Sequence, residues 1–293
     1  MKPPPFVYHR PATVEQAARL LADLGDDAKV IAGGQSLVPL LNFRLAAPAH
    51  LVDVNHLGLD EVTVTGGALD VGATVRTARL IDDPAVAGAA PLLAEGAGWV
   101  AHPVIRNRGT VCGSLAHADP AAELPAVLAL VGGEVQAVAW RAGRLATRRV
   151  AAADLYAGPL QTTLDADELV VAARFPALPA RTGWAVEELA RRHGDYAMAG
   201  VALTVTVDGE GAPVAARAAY LSCAPTPLVV DLGPADGATL RDRVAAALDP
   251  TDDIHATAAY RRHLAAVLTE RAYDRALARA RSATPDPTPE VPP

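Results

Sequence analysis

Apolar residues Val14, Ala17, Ala18 and Leu21 recur at helical spacing behind Thr13-Val-Glu-Gln16, a capping-box pattern, and Gly25 closes the run. Strand-like runs flank this helix at residues 6–9 and 29–32, and a second helix over 37–44 and a strand over 50–54 follow. Residues 61–65 and 69–72 alternate as a hairpin joined by Gly66-Gly67. Helical patterns return over 85–100 and 121–130, with a glycine-punctuated loop over 105–120 between them, and strands follow at 135–140, 145–150 and 169–175. Residues 176–183 have linker composition. Beyond them come strand-like runs at 184–189, 198–207 and 214–223, then helices over 239–248 and 257–281. Antiparallel strands followed by helices make an α+β module. The final stretch, 282–293, holds five prolines and no apolar period, the composition of a disordered tail.

The length of 293 residues suits one large domain or two modest ones, and 51% apolar content supports a true core. The formal net charge of −7 argues against a nucleic-acid or anionic-membrane surface, which needs a basic footprint. Two cysteines, Cys112 and Cys223, cannot supply the ligands of a zinc ribbon or an iron–sulfur cluster. The N-terminus lacks the apolar core of a signal peptide, and charged or polar residues interrupt the apolar stretch 121–140. These features predict a soluble, cytoplasmic protein without a membrane span.

Two segments carry candidate chemistry. Ala32-Gly-Gly-Gln-Ser36 follows a buried strand, and its glycines let a ligand approach the backbone while the next helix opens with free N–H groups. Arg106-Asn-Arg-Gly-Thr-Val-Cys-Gly-Ser114 again offers glycines and hydroxyls. Two such loops suit a diphosphate, one on each side. Gly96-Ala-Gly-Trp-Val-Ala101 has the letters of a dinucleotide fingerprint, but it follows a helix-like run rather than a strand, which rejects a Rossmann reading. Ser114, His117 and Asp119 lie too close in sequence for a triad and lack a nucleophile elbow.

The stretches 32–41 and 105–123 resemble the two FAD loops of molybdenum hydroxylases, most closely those of the FAD-binding medium subunit of the carbon monoxide dehydrogenase type, related to the flavin domain of xanthine dehydrogenase. Arg191-Arg-His-Gly-Asp-Tyr-Ala197 and Tyr260-Arg-Arg-His-Leu-Ala-Ala-Val-Leu268 resemble the C-terminal part of that subunit. The resemblance implies a FAD-binding domain of the vanillyl-alcohol-oxidase (PCMH) type over residues 1–176, with subdomains of about 1–56 and 57–176, then an α+β domain over 177–281. It further implies a heterotrimer, assembled as a dimer of heterotrimers. A small subunit there carries two 2Fe–2S clusters and a large subunit carries molybdopterin, and the flavin passes electrons from the clusters to an external acceptor. Substrate choice then belongs to the large subunit.

Carried over by position, the resemblance implies that Ala32, Gly33, Gly34, Gln35 and Ser36 hold the FAD diphosphate through backbone N–H groups, with Thr110, Gly113 and Ser114 on its other side. Asp119 would bind ribityl or adenosine hydroxyls, Ala101 and Leu169 would line the cavity, and Tyr196 would lie near the isoalloxazine. No residue is implied as a general base, and no metal ligand. A Cβ on Gly34 is expected to block the backbone approach. Two departures stand out. Cys112 replaces a glycine usual in relatives, which would be costly at a positive φ. Glu187-Glu188 stand where relatives often carry a lysine, which would remove a positive charge near the flavin. Those departures are the support for an alternative, a flavin-free scaffold subunit; a stand-alone flavin oxidase is the other.

Overall fold

The structure of the chain is a computed structural model that describes residues 2–234 and 237–282. Strand β1 (Val7–His9), helix α1 (Val14–Leu24), β2 (Ala28–Ile31), α2 (Leu37–Asn42) and β3 (His50–Asp53) form the first unit of structure. The strands make a parallel sheet in the order β1-β3-β2. Thr13 opens α1 by accepting from the Gln16 amide at 3.1 Å, while the Gln16 side chain accepts from the Ala12 amide at 2.9 Å. The apolar stripe of α1 buries Ala17 and Leu21 with Val52 and with Val138 and Leu169 from later strands.

Strands β4 (Val62–Thr65) and β5 (Ala68–Gly72) lead into helices α3 (Thr77–Asp82), α4 (Pro84–Ala89), α5 (Pro91–Trp99), α6 (Pro103–Arg106), α7 (Val111–His117) and α8 (Glu123–Leu130). Strands β6 (Glu134–Arg141) and β7 (Arg144–Ala151), the turn of helix α9 (Ala152–Leu155), the short pair β8 (Tyr156–Gly158) and β9 (Gln161–Thr162), and β10 (Leu169–Pro176) follow. They build a five-stranded sheet in the order β4-β5-β10-β6-β7. Helix α8 buries Leu124, Pro125, Ala126, Val127, Leu128 and Leu130, so it is enclosed on nearly every side.

The third sheet, β11 (Thr182–Leu189), β12 (Ala199–Val207), β13 (Pro213–Leu221) and β14 (Leu228–Asp231), is antiparallel in chain order, with α10 (Gly237–Ala247) and α11 (Ala258–Ser282) beyond it. Its alternating positions serve two cores. Ala185, Val201, Leu203 and Tyr220 pack with Leu264, Leu268 and Ala272 of α11. Val186, Ala202, Ala219 and Leu221 share the core of Leu124, Val127 and Leu128 of α8. An ion-pair lattice fastens this sheet to α5. One Glu95 carboxylate oxygen accepts from the Val186 amide at 3.0 Å and from Arg275 at 2.9 Å, while the other accepts from Arg279.

Three sequence expectations change. The helix expected over 85–100 is two helices, because Pro91 lacks the N–H that would continue α4 and instead begins α5. The loop expected over 105–120 contains α7, capped by Thr110. Thr182 and Gly183, expected in a linker, already pair in β11 with Thr206 and Val205. Apart from Ser282, which ends α11, the tail expected over 282–293 lies outside the described residues. No helix among the described residues is long and apolar enough to cross a membrane.

Candidate functional site

Between β2 and α2 the chain turns through Ala32–Ser36, and Gly34 takes φ +70°, a conformation that disfavours any side chain. Gly33 has ordinary φ but no room. A Cβ there would overlap the Arg108 carbonyl oxygen and lie 2.8 Å from Gly109 Cα. The two segments singled out from sequence therefore touch backbone to backbone at Gly33. A Cβ on Gly34 would instead meet Val38 at 3.2 Å and Ile31 at 3.6 Å, the chain's own side chains. The turn thus needs glycine at 34, and the junction needs glycine at 33. Among the described residues, no amide from Gly33 to Ser36 donates to a protein acceptor.

A polar chain of contacts locks the junction. Asn55 donates to the Ala32 carbonyl at 2.9 Å and accepts from Arg76 at 2.6 Å, and Arg76 also donates to the Arg108 carbonyl at 2.6 Å. Asp53 holds Asn55 in turn at 2.6 Å. The second segment spends its amides on protein acceptors. Gly109 donates to Ile105, Val111 to Val75, Ser114 to the Thr110 carbonyl, and Gly113 to the Thr110 hydroxyl at 3.1 Å. The Thr110 O–H donates to no protein acceptor among the described residues. Four unclaimed amides thus share a cavity with a hydroxyl-bearing helix start, an arrangement fitted to the oxygens of an anionic, extended ligand.

Both segments line one cavity of about 490 Å³. Ala32, Gly33, Gly34, Gln35, Ser36, Thr110, Gly113, Ser114, Asp119, Leu169 and Tyr196 all lie on its wall. Ala101 is outside it, in the turn between α5 and α6 with φ +41°, where its carbonyl accepts from Arg106 at 3.0 Å. Its neighbour His102 packs its ring against Gly194 and stands edge-on to His193 at 5.8 Å, beside the Tyr196 loop.

Tyr196 stands at the rim with 63% of its surface exposed, its phenol turned to the cavity. Burial of the hydroxyl end, with the Asp119 and Glu123 carboxylates beside it, pushes the phenol up to about 12. Asp119 accepts from the Ala121 amide at 2.9 Å and lies 4.0 Å from His117 Nε2. Burial keeps the His117 imidazole below its ordinary value against the pull of Asp119, so it is neutral near pH 7. Glu123, the first residue of α8, also lines the cavity. Burial, supplemented by Asp119 and opposed by its own amide and by Arg106, pushes Glu123 up to about 7.

Both departures read differently in three dimensions. Cys112 is the second residue of α7, in helical conformation and 3% exposed, so no positive φ is demanded of it. Burial pushes its thiol up to about 12, which leaves it inert. Glu187 pairs with Arg275 of α11, and neither it nor Glu188 lines the cavity. Sequence reasoning missed Asn55, Arg76 and Glu123. Asn55 carried a faint signal, since it follows the strand β3 closely, whereas Arg76 carried none.

A family model described as the FAD binding domain in molybdopterin dehydrogenase matches residues 4–178. Subunit alpha of the 6-hydroxypseudooxynicotine dehydrogenase complex of Paenarthrobacter nicotinovorans is 41% identical, spanning 96% of this chain and 97% of its own. Caffeine dehydrogenase subunit beta of a Pseudomonas species is 36% identical over 94% of this chain and 96% of its own. Among solved structures, a carbon monoxide dehydrogenase chain from Hydrogenophaga pseudoflava superposes with a TM-score of 0.89 at 36% identity, covering 95% of this chain and 99% of that one.

Proposed function

The chain belongs to the family of FAD-binding medium subunits of molybdenum hydroxylase complexes, oxidoreductases of the xanthine dehydrogenase and carbon monoxide dehydrogenase group, and from that premise we propose how its own residues serve electron transfer. FAD is its cofactor, and the molybdenum and iron–sulfur groups belong to other subunits. When bound, FAD supplies reversible two-electron chemistry.

The amides of Gly33, Gly34, Gln35 and Ser36 hold the diphosphate, and the hydroxyls of Thr110 and Ser114 close on it from α7. Asp119 takes ligand hydroxyls, Leu169 gives an apolar wall, and Tyr196 covers the ring end of the cavity. Gly113 contributes by leaving the Thr110 hydroxyl within reach of its amide. Residues 1–176 form the FAD-binding domain and 177–281 the C-terminal domain. The chain receives electrons from an iron–sulfur subunit and passes them to an external acceptor, in a dimer of heterotrimers with a large molybdopterin subunit. Relatives named for a nicotine derivative, caffeine and carbon monoxide keep the same medium-subunit architecture, which supports substrate selection elsewhere in the complex.

The observation that carries this reading is the row of four amides without protein acceptors, locked against the second segment by Asn55 and Arg76. The test is to purify the complex through a tag on this chain. FAD at one per chain, reduced by the substrate of the complex only when the iron–sulfur subunit is present, is the expected result. Flavin reduced equally well by substrate without the partner chains would refute it.

A further inference from the structure

Strand β1 lies at the outer edge of the parallel sheet and pairs with β3 alone. Its central residue, Tyr8, is 53% exposed, yet its hydroxyl donates to Oδ2 of Asp53, a carboxylate 6% exposed at the end of β3. The other oxygen, Oδ1, accepts twice from Asn55, from the backbone amide at 2.9 Å and from the side-chain amide at 2.6 Å. The same Asn55 nitrogen donates to the Ala32 carbonyl at 2.9 Å, and the Asn55 oxygen accepts from Arg76 at 2.6 Å. Arg76 in turn donates to the Arg108 carbonyl at 2.6 Å. A continuous line of hydrogen bonds thus runs from an exposed edge strand to the junction of the two cavity-lining segments.

We propose that Tyr8 is a positioning residue for the FAD cradle: its hydroxyl fixes the Asp53 carboxylate, and through Asp53 the Asn55 amide that holds the Ala32 carbonyl.

The peptide plane makes the case. The Ala32 carbonyl and the Gly33 N–H belong to one planar unit, so whatever holds the carbonyl also aims the amide. Gly33 is the first of the four amides without a protein acceptor. Asn55 can hold that carbonyl in one orientation only, because both N–H groups of its side chain are spent, one on Ala32 and one on Asp53. Asp53 must therefore stay in place. Burial works to raise its carboxyl, but the donors from Tyr8 and Asn55 outweigh it and keep it below its ordinary value. An ionised carboxylate only accepts, so the Tyr8 hydroxyl is the donor, and among the described residues it is the donor that Oδ2 has. Without it a buried, charged oxygen is left unsatisfied, and the carboxylate must turn toward water or toward the Asn55 amide. Either movement releases Asn55 from the orientation that serves Ala32. The role of Tyr8 at the cofactor rests on the FAD assignment above.

The experiment uses the full chain, native, Tyr8→Phe, Asn55→Ala, the double variant, and His9→Ala as a control. Tyr8→Phe keeps the half-exposed ring and removes only the hydroxyl. His9 lies on the same strand, and its contact, to His50 at 2.9 Å, does not lead to Asn55. With FAD, stopped-flow dissociation is expected to be about threefold to tenfold faster in Tyr8→Phe and native in His9→Ala. In the Asn55→Ala background Tyr8→Phe should add nothing to the rate, a non-additivity that a general loss of stability does not produce. Without FAD, the Gly33 amide resonance is expected to move in Tyr8→Phe and Asn55→Ala and to stay in place in His9→Ala. A native dissociation rate in Tyr8→Phe, rate effects that multiply in the double variant, an equal effect from His9→Ala, or an unmoved Gly33 resonance overturns the proposal. A native chain that takes up no FAD would defeat the functional reading, while the Gly33 resonance still decides whether Tyr8 sets the turn.

Discussion

Substitution of Gly33 by alanine adds a single methyl group at the point where the two cavity-lining segments meet. That methyl would stand 2.8 Å from Gly109 Cα as well as overlapping the Arg108 carbonyl. Carbon atoms pack at about 3.5–4.0 Å, so the segments must separate by about 1 Å. The Asn55–Arg76 bridge resists such movement at both ends, and the strain falls on the turn that carries the free amides. Misdirecting one charge-assisted hydrogen bond to the diphosphate costs about 1.5–3 kcal/mol, or about 10- to 150-fold in FAD affinity. Gly34→Ala is the control. Its methyl meets Val38 rather than the second segment, and φ +70° adds strain of about 1–2 kcal/mol that falls on stability. Fluorescence titration of FAD onto the apo chain, with circular dichroism and melting curves for both variants, separates the two effects. Native FAD affinity in Gly33→Ala, or a larger loss in Gly34→Ala than in Gly33→Ala, would show that the junction does not set the cradle.

Further expectations concern four other positions. Asn55→Ala removes the link between the Ala32 carbonyl and Arg76, and a rise in the FAD dissociation rate of about tenfold should follow from one lost hydrogen bond of about 1.4 kcal/mol; an unchanged stopped-flow rate would count against the bridge. Cys112→Gly should not improve FAD binding but should lower stability by about 1 kcal/mol or more, because it places glycine inside α7 and empties buried volume; tighter FAD binding would contradict the helical account of Cys112. Tyr196→Ala should change the flavin spectrum or midpoint more than FAD occupancy, and a native spectrum and midpoint would remove Tyr196 from the ring end. For pH, Glu188 in the native state holds its proton up to about 8, against an ordinary carboxyl value of 4.5 in the unfolded chain. The native state therefore binds more protons between those values, so stability falls as pH rises through that window. Glu188→Gln should flatten the decline, as read from melting temperature against pH, and an equally steep decline in the variant would locate it elsewhere.

The turn of the first segment was legible in sequence because paired glycines after a buried strand mark a tight turn, and local chemistry decides it. The second segment was legible as a partner of the first on one cavity but not as a shape. Gly109 and Gly113 suggested a loop, yet Gly113 lies in a helix, where a Cβ would stand 2.6 Å from the Thr110 hydroxyl that caps it. Glycine there makes way for the cap. Cys112 seemed a threat only while its backbone was imagined as a loop. Glu187-Glu188 seemed a single change of charge, although the period of two along a strand already places them on opposite faces. Asn55 and Arg76 escaped because their partners lie 21 to 32 positions away, and nothing in a polar residue's immediate neighbourhood announces a distant carbonyl.

The locking contacts also explain why one cofactor site draws on both ends of the chain. Everything proposed to hold the diphosphate lies between Ala32 and Ser114, and its locking contacts, from Asn55, Arg76 and Arg108, lie in the same span. The rim differs. Tyr196 follows β11, and β11 is held to α5 by Glu95, which engages Arg275 and Arg279 of α11 as well as the Val186 amide. The sheet is thus registered on the FAD-binding part by contacts spanning roughly 90 to 180 positions, not by the turn that joins them. On the proposed orientation of FAD, affinity is set by the first part of the chain, while the surroundings of its ring are set by how the last part docks. That separation lets the surroundings of the ring be altered through Tyr196 without disturbing the segments proposed to retain the cofactor.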